Sequence, residues 1–210
     1  MTREISLGRG RVPRWKLERI LIDALGDPFL EHDTAMAAIA AAFGSADRAE
    51  RLWEWLDDAA RPLFTIPDDL RQRAAALTHL MTNQLRLRAG NDDHRALLLD
   101  HLIQTRLGHP LLLASIGHEL ARRAGWPTVI ATTHAQHVTV LTDDGYFAPI
   151  AYGIPLPAAH AAQLRACCPH GIAAATLAAI SHHAPAEIAA SATRIRDALL
   201  TAHEDHTYDT

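Results

Sequence analysis

Strand-forming sequence is confined to one short stretch of this chain. Between Thr128 and Ile150 the β-branched runs TVIATT and HVTVLT, the turn signal DDG at Asp143 to Gly145 and the run YFAPI follow one another at hairpin spacing. Pro149 has no N–H to give a ladder, so it belongs at a strand end or on an exposed edge. On both sides of this stretch the pattern is helical. Helices, a small antiparallel sheet and helices again make an α+β fold.

The helical half can be read segment by segment. Val12 to Leu25 is a first helix, with Pro13 in its opening turn, Trp15, Ile20, Leu21 and Leu25 on one stripe, and Gly26 at its end. Asp33 or Thr34 is the expected cap of AMAAIAAAF, which stops at Gly44. Ser45 caps ADRAERLWEWLDDAA, whose Leu52, Trp53 and Leu56 are spaced to face a core before Pro62 closes the helix. IPDDLRQRAAALTHLMTNQLRLRAG carries acids in its first turn and arginines in its last, as the helix dipole prefers. NDDHRALLLDHLIQTRLG opens at Asn91 or Asp92 and ends with Gly108. Pro110 then starts a helix whose Leu112, Leu113, Ile116 and Leu120 face inward while Glu119, Arg122 and Arg123 face water. Gly108 and Gly125 are both expected at positive φ, as left-handed caps. Beyond Pro157 the composition is alanine-rich and helical, punctuated by Pro169, Gly171 and Pro185, and the tail HEDHTYDT reads as frayed.

A chain of 210 residues with 49% apolar content can bury one ample core. Its net charge of −4 argues against a general nucleic-acid-binding face. No apolar run reaches the ~20 residues that cross a bilayer, and MTREISLGRGRVPRWK has no apolar segment of a secretory signal. The expectation is a cytoplasmic protein with reduced thiols and no membrane partner. Cys167 and Cys168 are adjacent, which ordinary disulfide geometry does not favour.

Fourteen histidines are scattered along the chain, and most read as solvent-facing. His134 and His137 bracket a strand junction, where an imidazole opposite a helix start has the placement of a general base; an edge-strand histidine fits the same pattern. Zinc held by His134, His137 and either His160 or His170 is conceivable. The chain has no Cys-x-x-Cys and no His-Glu-x-x-His, and no metal or other cofactor is assigned. CCPH, Cys167 to His170, invites a thiolate reading, but adjacent side chains on one backbone suit packing better than attack. No G-x-S-x-G elbow supports a serine triad.

Taken together, the segment GND, the run LLLDHLIQTRLGHPLLLASIGHELARRAGW and the strands HVTVL and YFAPIAYG resemble the SirB-type branch of the transglutaminase-like superfamily. Asn91, Leu99, Leu102, Arg106, Gly108, Pro110, Leu113, Ala121, Arg123 and Gly125 fall on that branch's frame, and His137 falls on its histidine. The resemblance covers about residues 75 to 155 and implies a papain-like core. The single domain 1–210 then divides into a helical region 1–90, a transglutaminase-like core 91–156 and C-terminal helices 157–210. In thiol-using relatives the nucleophile lies about fifteen residues before the helix-ending glycine, and counting back from Gly125 reaches Pro110. Ala148 stands before Pro149 where the family usually offers aspartate, and Val138 replaces the phenylalanine after the histidine. Of a Cys-His-Asp triad, the resemblance leaves His137.

Two classes of function follow. The first is a degenerate transglutaminase-like protein that binds or regulates without thiol catalysis, since no thiolate means no acyl-enzyme. The second is an enzyme of small-molecule metabolism in which His137 is a general base for hydrolysis, amide formation or elimination. The candidate cleft is Asn91, Arg106, His134, Gln136 and Tyr152 around His137. An unidentified protein or small molecule is the expected partner, nucleic acid is not, and a homodimer is left open.

Overall fold

A computed structural model describes residues 14–44, 51–90, 93–133, 136–143, 146–151, 154–155 and 164–204. In chain order its helices and strands are α1 (Arg14–Leu25), α2 (His32–Phe43), α3 (Leu52–Ala60), α4 (Leu70–His79), β1 (Arg88–Ala89), α5 (Leu99–Thr105), β2 (Leu107–Gly108), α6 (Pro110–Arg123), β3 (Thr128–Thr132), β4 (His137–Asp143), β5 (Tyr146–Ala151), β6 (Ile154–Pro155), β7 (Arg165–Cys167), α7 (Pro169–His183) and α8 (Ala186–Glu204). The architecture is α+β, as the segregated pattern requires. Among the described residues no helix is long and apolar enough to cross a membrane.

Strands β3 to β7 form one antiparallel sheet in the order β6–β5–β4–β3–β7, and β1 and β2 pair in parallel as a separate two-residue ladder. Pro149 pairs with Val140 inside β5, on whose outer side β6 reaches only Ile150 and Ala151, so its missing N–H is tolerated at that edge. β7 carries no strand signal in the sequence. It extends the sheet by pairing Cys167 with Ile130 and Arg165 with Thr132.

Helix α6 lies on the sheet and is covered elsewhere by α2, α3, α4 and α7. Every residue from Leu111 to Ala121 is buried, so of the three side chains expected to face water Arg122 does, while Glu119 and most of Arg123 do not. Glu119 is fully buried. An amphipathic pattern records which side chains are polar, and here the polar side meets other helices. Glu119 Oε2 accepts from Arg122 Nε at 3.0 Å and from Arg123 Nη1. Asp33 Oδ2 accepts from Arg122 Nη2 at 3.2 Å and Arg123 Nη2 at 2.9 Å, and Arg123 Nε donates to Asp57 at 2.7 Å. Burial and the nearby Asp33 push the Glu119 carboxyl up, against the two guanidiniums that hold it charged. This network fastens the last turn of α6 to α2 and α3.

The same contact explains a second departure. Neither Asp33 nor Thr34 caps α2, which starts at His32 behind Glu31 with no side-chain cap. Beside it, the rings of His32 and His118 meet edge to face at 4.6 Å. Burial lowers both imidazoles, His32 to about 4 and His118 to about 3; His32 adds to the effect on His118 and Arg122 to that on both.

Several local expectations resolve differently. Gly26 and Gly44 do follow α1 and α2, but Ser45 lies outside the described residues and Trp53 is 39% exposed. The helix expected to reach Gly90 is capped by Asp69, which accepts from Gln72 N–H at 2.8 Å, and leaves helical geometry after the wider turn Leu80–Gln84. Arg86 and Arg88 therefore lie beyond it. Gly125 has φ +76 and ends α6 as a left-handed cap. Gly108 does not have positive φ; the left-handed residue ending α5 is Arg106, at φ 65. Gly108 is small for another reason, since a Cβ there would come within 2.7 Å of the Leu102 side chain.

A second apolar cluster joins the two ends of the described chain. Leu21, Leu25 and Ile39 of α1 and α2 pack with Leu177 and Ile180 of α7 and with Ala192, Ile195 and Leu199 of α8. Glu18 accepts from Ser191 Oγ at 2.5 Å and from Arg194 Nη2 at 2.6 Å across this contact.

Two measurements test this core. Arg123→Met should destabilise by about 3–5 kcal/mol in urea denaturation, because Glu119 and Asp33 are left buried with too little positive charge. Adding Glu119→Gln should recover part of the loss; equal costs for single and double variants would show that the pair is not coupled. The imidazole pair sets a pH dependence. Both folded values lie below the ordinary value of 6.5, so the stability held above pH 6.5 is lost as pH falls through about 4 and then about 3. The unfolded chain takes up two protons that the fold refuses, which gives a slope of up to ~2.7 kcal/mol per pH unit. His118→Phe should remove about half of that slope between pH 6 and 4.5, and parallel profiles for the two proteins would contradict it.

Candidate functional site

The start of α6 is built by three consecutive residues. His109 holds the N-cap position in extended geometry, and its Nδ1 accepts the N–H of Leu111 at 3.2 Å. Its own N–H donates to Ala96 O at 2.7 Å, which fixes the turn against the short 3₁₀ segment His94–Leu97. Pro110 follows as the first helical residue and has no N–H at all. With Leu111 N–H taken by the cap, two first-turn positions offer no donor to a ligand.

His137 opens β4, paired with Thr132 of β3 and half-buried. Two residues on, the Thr139 hydroxyl donates to Ala114 O of α6 at 2.8 Å. Side chains two apart on a strand share a face, so His137 stands on the α6 side of the sheet, toward the start of that helix. Gly117 makes the approach close: a Cβ there would strike the Thr139 hydroxyl.

The His109 and His137 imidazoles share one environment. Burial lowers both; His183 and then His137 lower His109 further. His183 comes from the last turn of α7, with its ring 6.4 Å from that of His109 and 5.0 Å from that of His182. At the positive end of a helix, burial and the dipole together favour the neutral forms of His109 and His137. His109, His182 and His183 were not singled out by their sequence context. For His109 the position just before a helix-opening proline was a usable signal, whereas His183 arrives from another element and had none.

The other proposed site residues divide. Gln136 is half-buried and closes the β3–β4 junction through its backbone, its carbonyl accepting from Thr133 N–H at 2.8 Å. Arg106 ends α5 one short strand before α6, and among the described residues no hydrogen bond or ion pair joins it to His137. Asn91, His134 and Tyr152 lie outside the described residues, as does His160. His170 points elsewhere, with Nε2 3.0 Å from Asp27 O at the α1–α2 turn. Among the described residues no three His, Cys, Asp or Glu side chains are placed to hold a metal ion.

The thiols have structural surroundings. Cys168 caps α7, its Sγ accepting from Gly171 N–H at 3.3 Å. Cys167 packs on Leu111, Ala114, Ile130 and Ile172, and burial pushes its thiol up. It sits on β7, two strands from His137.

The position assigned to a lost triad aspartate needs correction. Ala148 pairs with Leu141, four residues along β4 from His137 and thus about 13 Å away. A carboxylate at 148 would not touch the imidazole. The partner of Thr139 is Ile150, and residues 152–153 beyond β5 lie outside the described residues.

This register and the His137 placement can be probed with an introduced thiol. In a Cys167→Ala, Cys168→Ser background, Pro110→Cys should react with iodoacetamide well below pH 8, because a helix start and a facing imidazole lower a thiol pKa. Adding Ala148→Asp should leave the rate within about two-fold. A slow, ordinary thiol in the folded single variant would mean that His137 faces elsewhere, and a large gain from Ala148→Asp would mean another β4–β5 register.

Comparison with known proteins gives one match. The family model described as transglutaminase-like superfamily matches residues 30–154, more than half of the chain. No curated protein matches the chain, and no solved structure does.

Proposed function

The chain belongs to the transglutaminase-like superfamily, and we propose that it serves there as a binding or regulatory module that does not use thiol catalysis. The observation that carries this reading is Pro110 at the head of α6, behind a cap made by His109. A thiol-using site needs a nucleophile at such a helix start and free backbone donors beside it for the developing oxyanion. Proline supplies neither the nucleophile nor the N–H, and the next N–H is already bonded. Neither native thiol offers a substitute, since Cys168 is an N-cap and Cys167 is half-buried two strands from His137.

Within the superfamily, the spacing from Arg106 through Gly108 and Pro110 to Gly125 supports placing the chain in the SirB-type branch. The ligand would meet the face where His109, His137 and His183 converge.

One observation favours a second reading, an enzyme with His137 as general base. Burial lowers its imidazole and leaves it neutral at pH 7, able to take a proton. What it lacks among the described residues is a hydrogen-bonded carboxylate to fix its tautomer and stabilise its charged form.

Activated esters separate the two. Intact-protein mass spectrometry should find no acyl adduct, and His137→Ala should leave ester hydrolysis within a few-fold of the unaltered protein. A drop of ~10²-fold or more in the folded variant would establish the general-base enzyme instead. An acyl adduct on Cys167 or Cys168 would place the chemistry in the CCPH segment.

A further inference from the structure

The cap of α6 works with one form of its ring. Leu111 N–H can only donate, so the His109 Nδ1 that receives it at 3.2 Å carries a lone pair, and the proton of the neutral ring is on Nε2. A second proton would have to go to Nδ1, the atom that holds the cap. It would turn the acceptor into a donor aimed at another donor, and it would set a positive charge on the positive end of a helix of 14 residues. The usual capping residues, serine, threonine, aspartate and asparagine, keep an accepting oxygen throughout the neutral and mildly acidic range. A histidine cap is one that mild acid removes.

The backbone around the ring is held independently of it. His109 N–H donates to Ala96 O at 2.7 Å, and His109 O accepts from Leu113 N–H at 3.0 Å. The ring can therefore change its role while the turn stays in place. The titratable groups that face it are His183, from the last turn of α7 at a ring distance of 6.4 Å with His182 beside it, and His137 from β4. Strand β7 brings Cys167 against Leu111, a thiol that burial keeps uncharged. The 3₁₀ segment His94–Leu97 also packs on α6, and its His94 and Arg95 are ion-paired with Asp93. Among the described residues no carboxylate forms an ion pair with His109, so nothing charged there favours its second proton.

We propose that His109 is a pH-operated cap, which releases the first turn of α6 when its ring takes up a proton. The neutral ring keeps Leu111 N–H occupied; the protonated ring turns away and leaves that N–H free at the histidine face. Burial and the facing His183 and His137 all lower the His109 imidazole, so the stability that the cap supplies is complete above pH 6.5 and is lost as the pH falls through the lower folded value. His183 stands on another helix, and through it the end of α7 tunes the release. The device regulates the face proposed to meet a ligand, yet it needs no ligand to operate, so either reading can fail while the other stands.

Nitrogen NMR of the histidine rings and amide hydrogen exchange, followed together through a pH titration of the full chain, test the cap. In mild alkali His109 should show a proton on Nε2 and none on Nδ1. As the pH falls, Leu111 N–H should lose protection by about ten-fold or more, with the same midpoint as the His109 ring, while the amides in the last turn of α6 keep theirs. His109→Asn supplies a cap that does not titrate, so in that variant Leu111 N–H should stay protected over the same range. His183→Gln removes a facing charge and should raise the His109 midpoint. A proton on Nδ1 in mild alkali would overturn the proposal, and this outcome needs no variant. So would a Leu111 amide indifferent to the His109 titration, or a parental pH profile in folded His109→Asn. A midpoint unmoved by His183→Gln would overturn the control by α7.

Discussion

The burial of α6 on all sides is the constraint on which the rest of this structure depends. A helix sealed between a sheet and four other helices cannot leave a carboxylate unpaired, and Glu119 is fully buried. Two arginines one turn on meet that demand, and Arg123 is held in turn by Asp33 of α2 and Asp57 of α3. The price is orientation: α2 and α3 must present Asp33 and Asp57 at the same end of the helix. With that end fastened, the other end can be held by contacts as light as a histidine cap and a proline.

The opposite end of α6 opens on a proline behind a histidine cap. His109 uses its ring nitrogen on the helix it caps. His137 is brought to the same place by a strand whose position is set by one hydroxyl, Thr139 on Ala114 O, and by the absence of a side chain at Gly117. Local backbone rules and one tight helix–sheet contact therefore deliver the imidazole, without any residue devoted to orienting it among those described.

The class of fold was legible because β-branched runs occur in one stretch only, and the proline and glycine bounding α6 marked its ends. What could not be read follows from enclosure and pairing, which are not local properties. Glu119 and Arg123 look like a wet face until α2 and α3 cover them. Arg165 to Cys167 form a strand because β3 has a free edge, not because of their own pattern. Arg106 takes the left-handed place one would give to Gly108, and the glycine is needed two residues later by the Leu102 side chain. The candidate histidine His137 was visible from its strand, whereas its neighbours His109 and His183 come together only once α7 folds back. Ala148 was misassigned because counting residues does not show register; pairing it with Leu141 does.

The contact between α1 and α8 has a temporal consequence. Glu18 is satisfied by Ser191 and Arg194, and Leu21 and Leu25 share a cluster with Ile195 and Leu199. Contacts of such sequence separation close a long loop, and the entropy of that closure comes before any gain from burial. During synthesis α1 and α2 emerge with an apolar face whose cover is still untranslated. α1 and α2 must wait, exposed, until α8 arrives, and an apolar face left open in this way is open to wrong contacts.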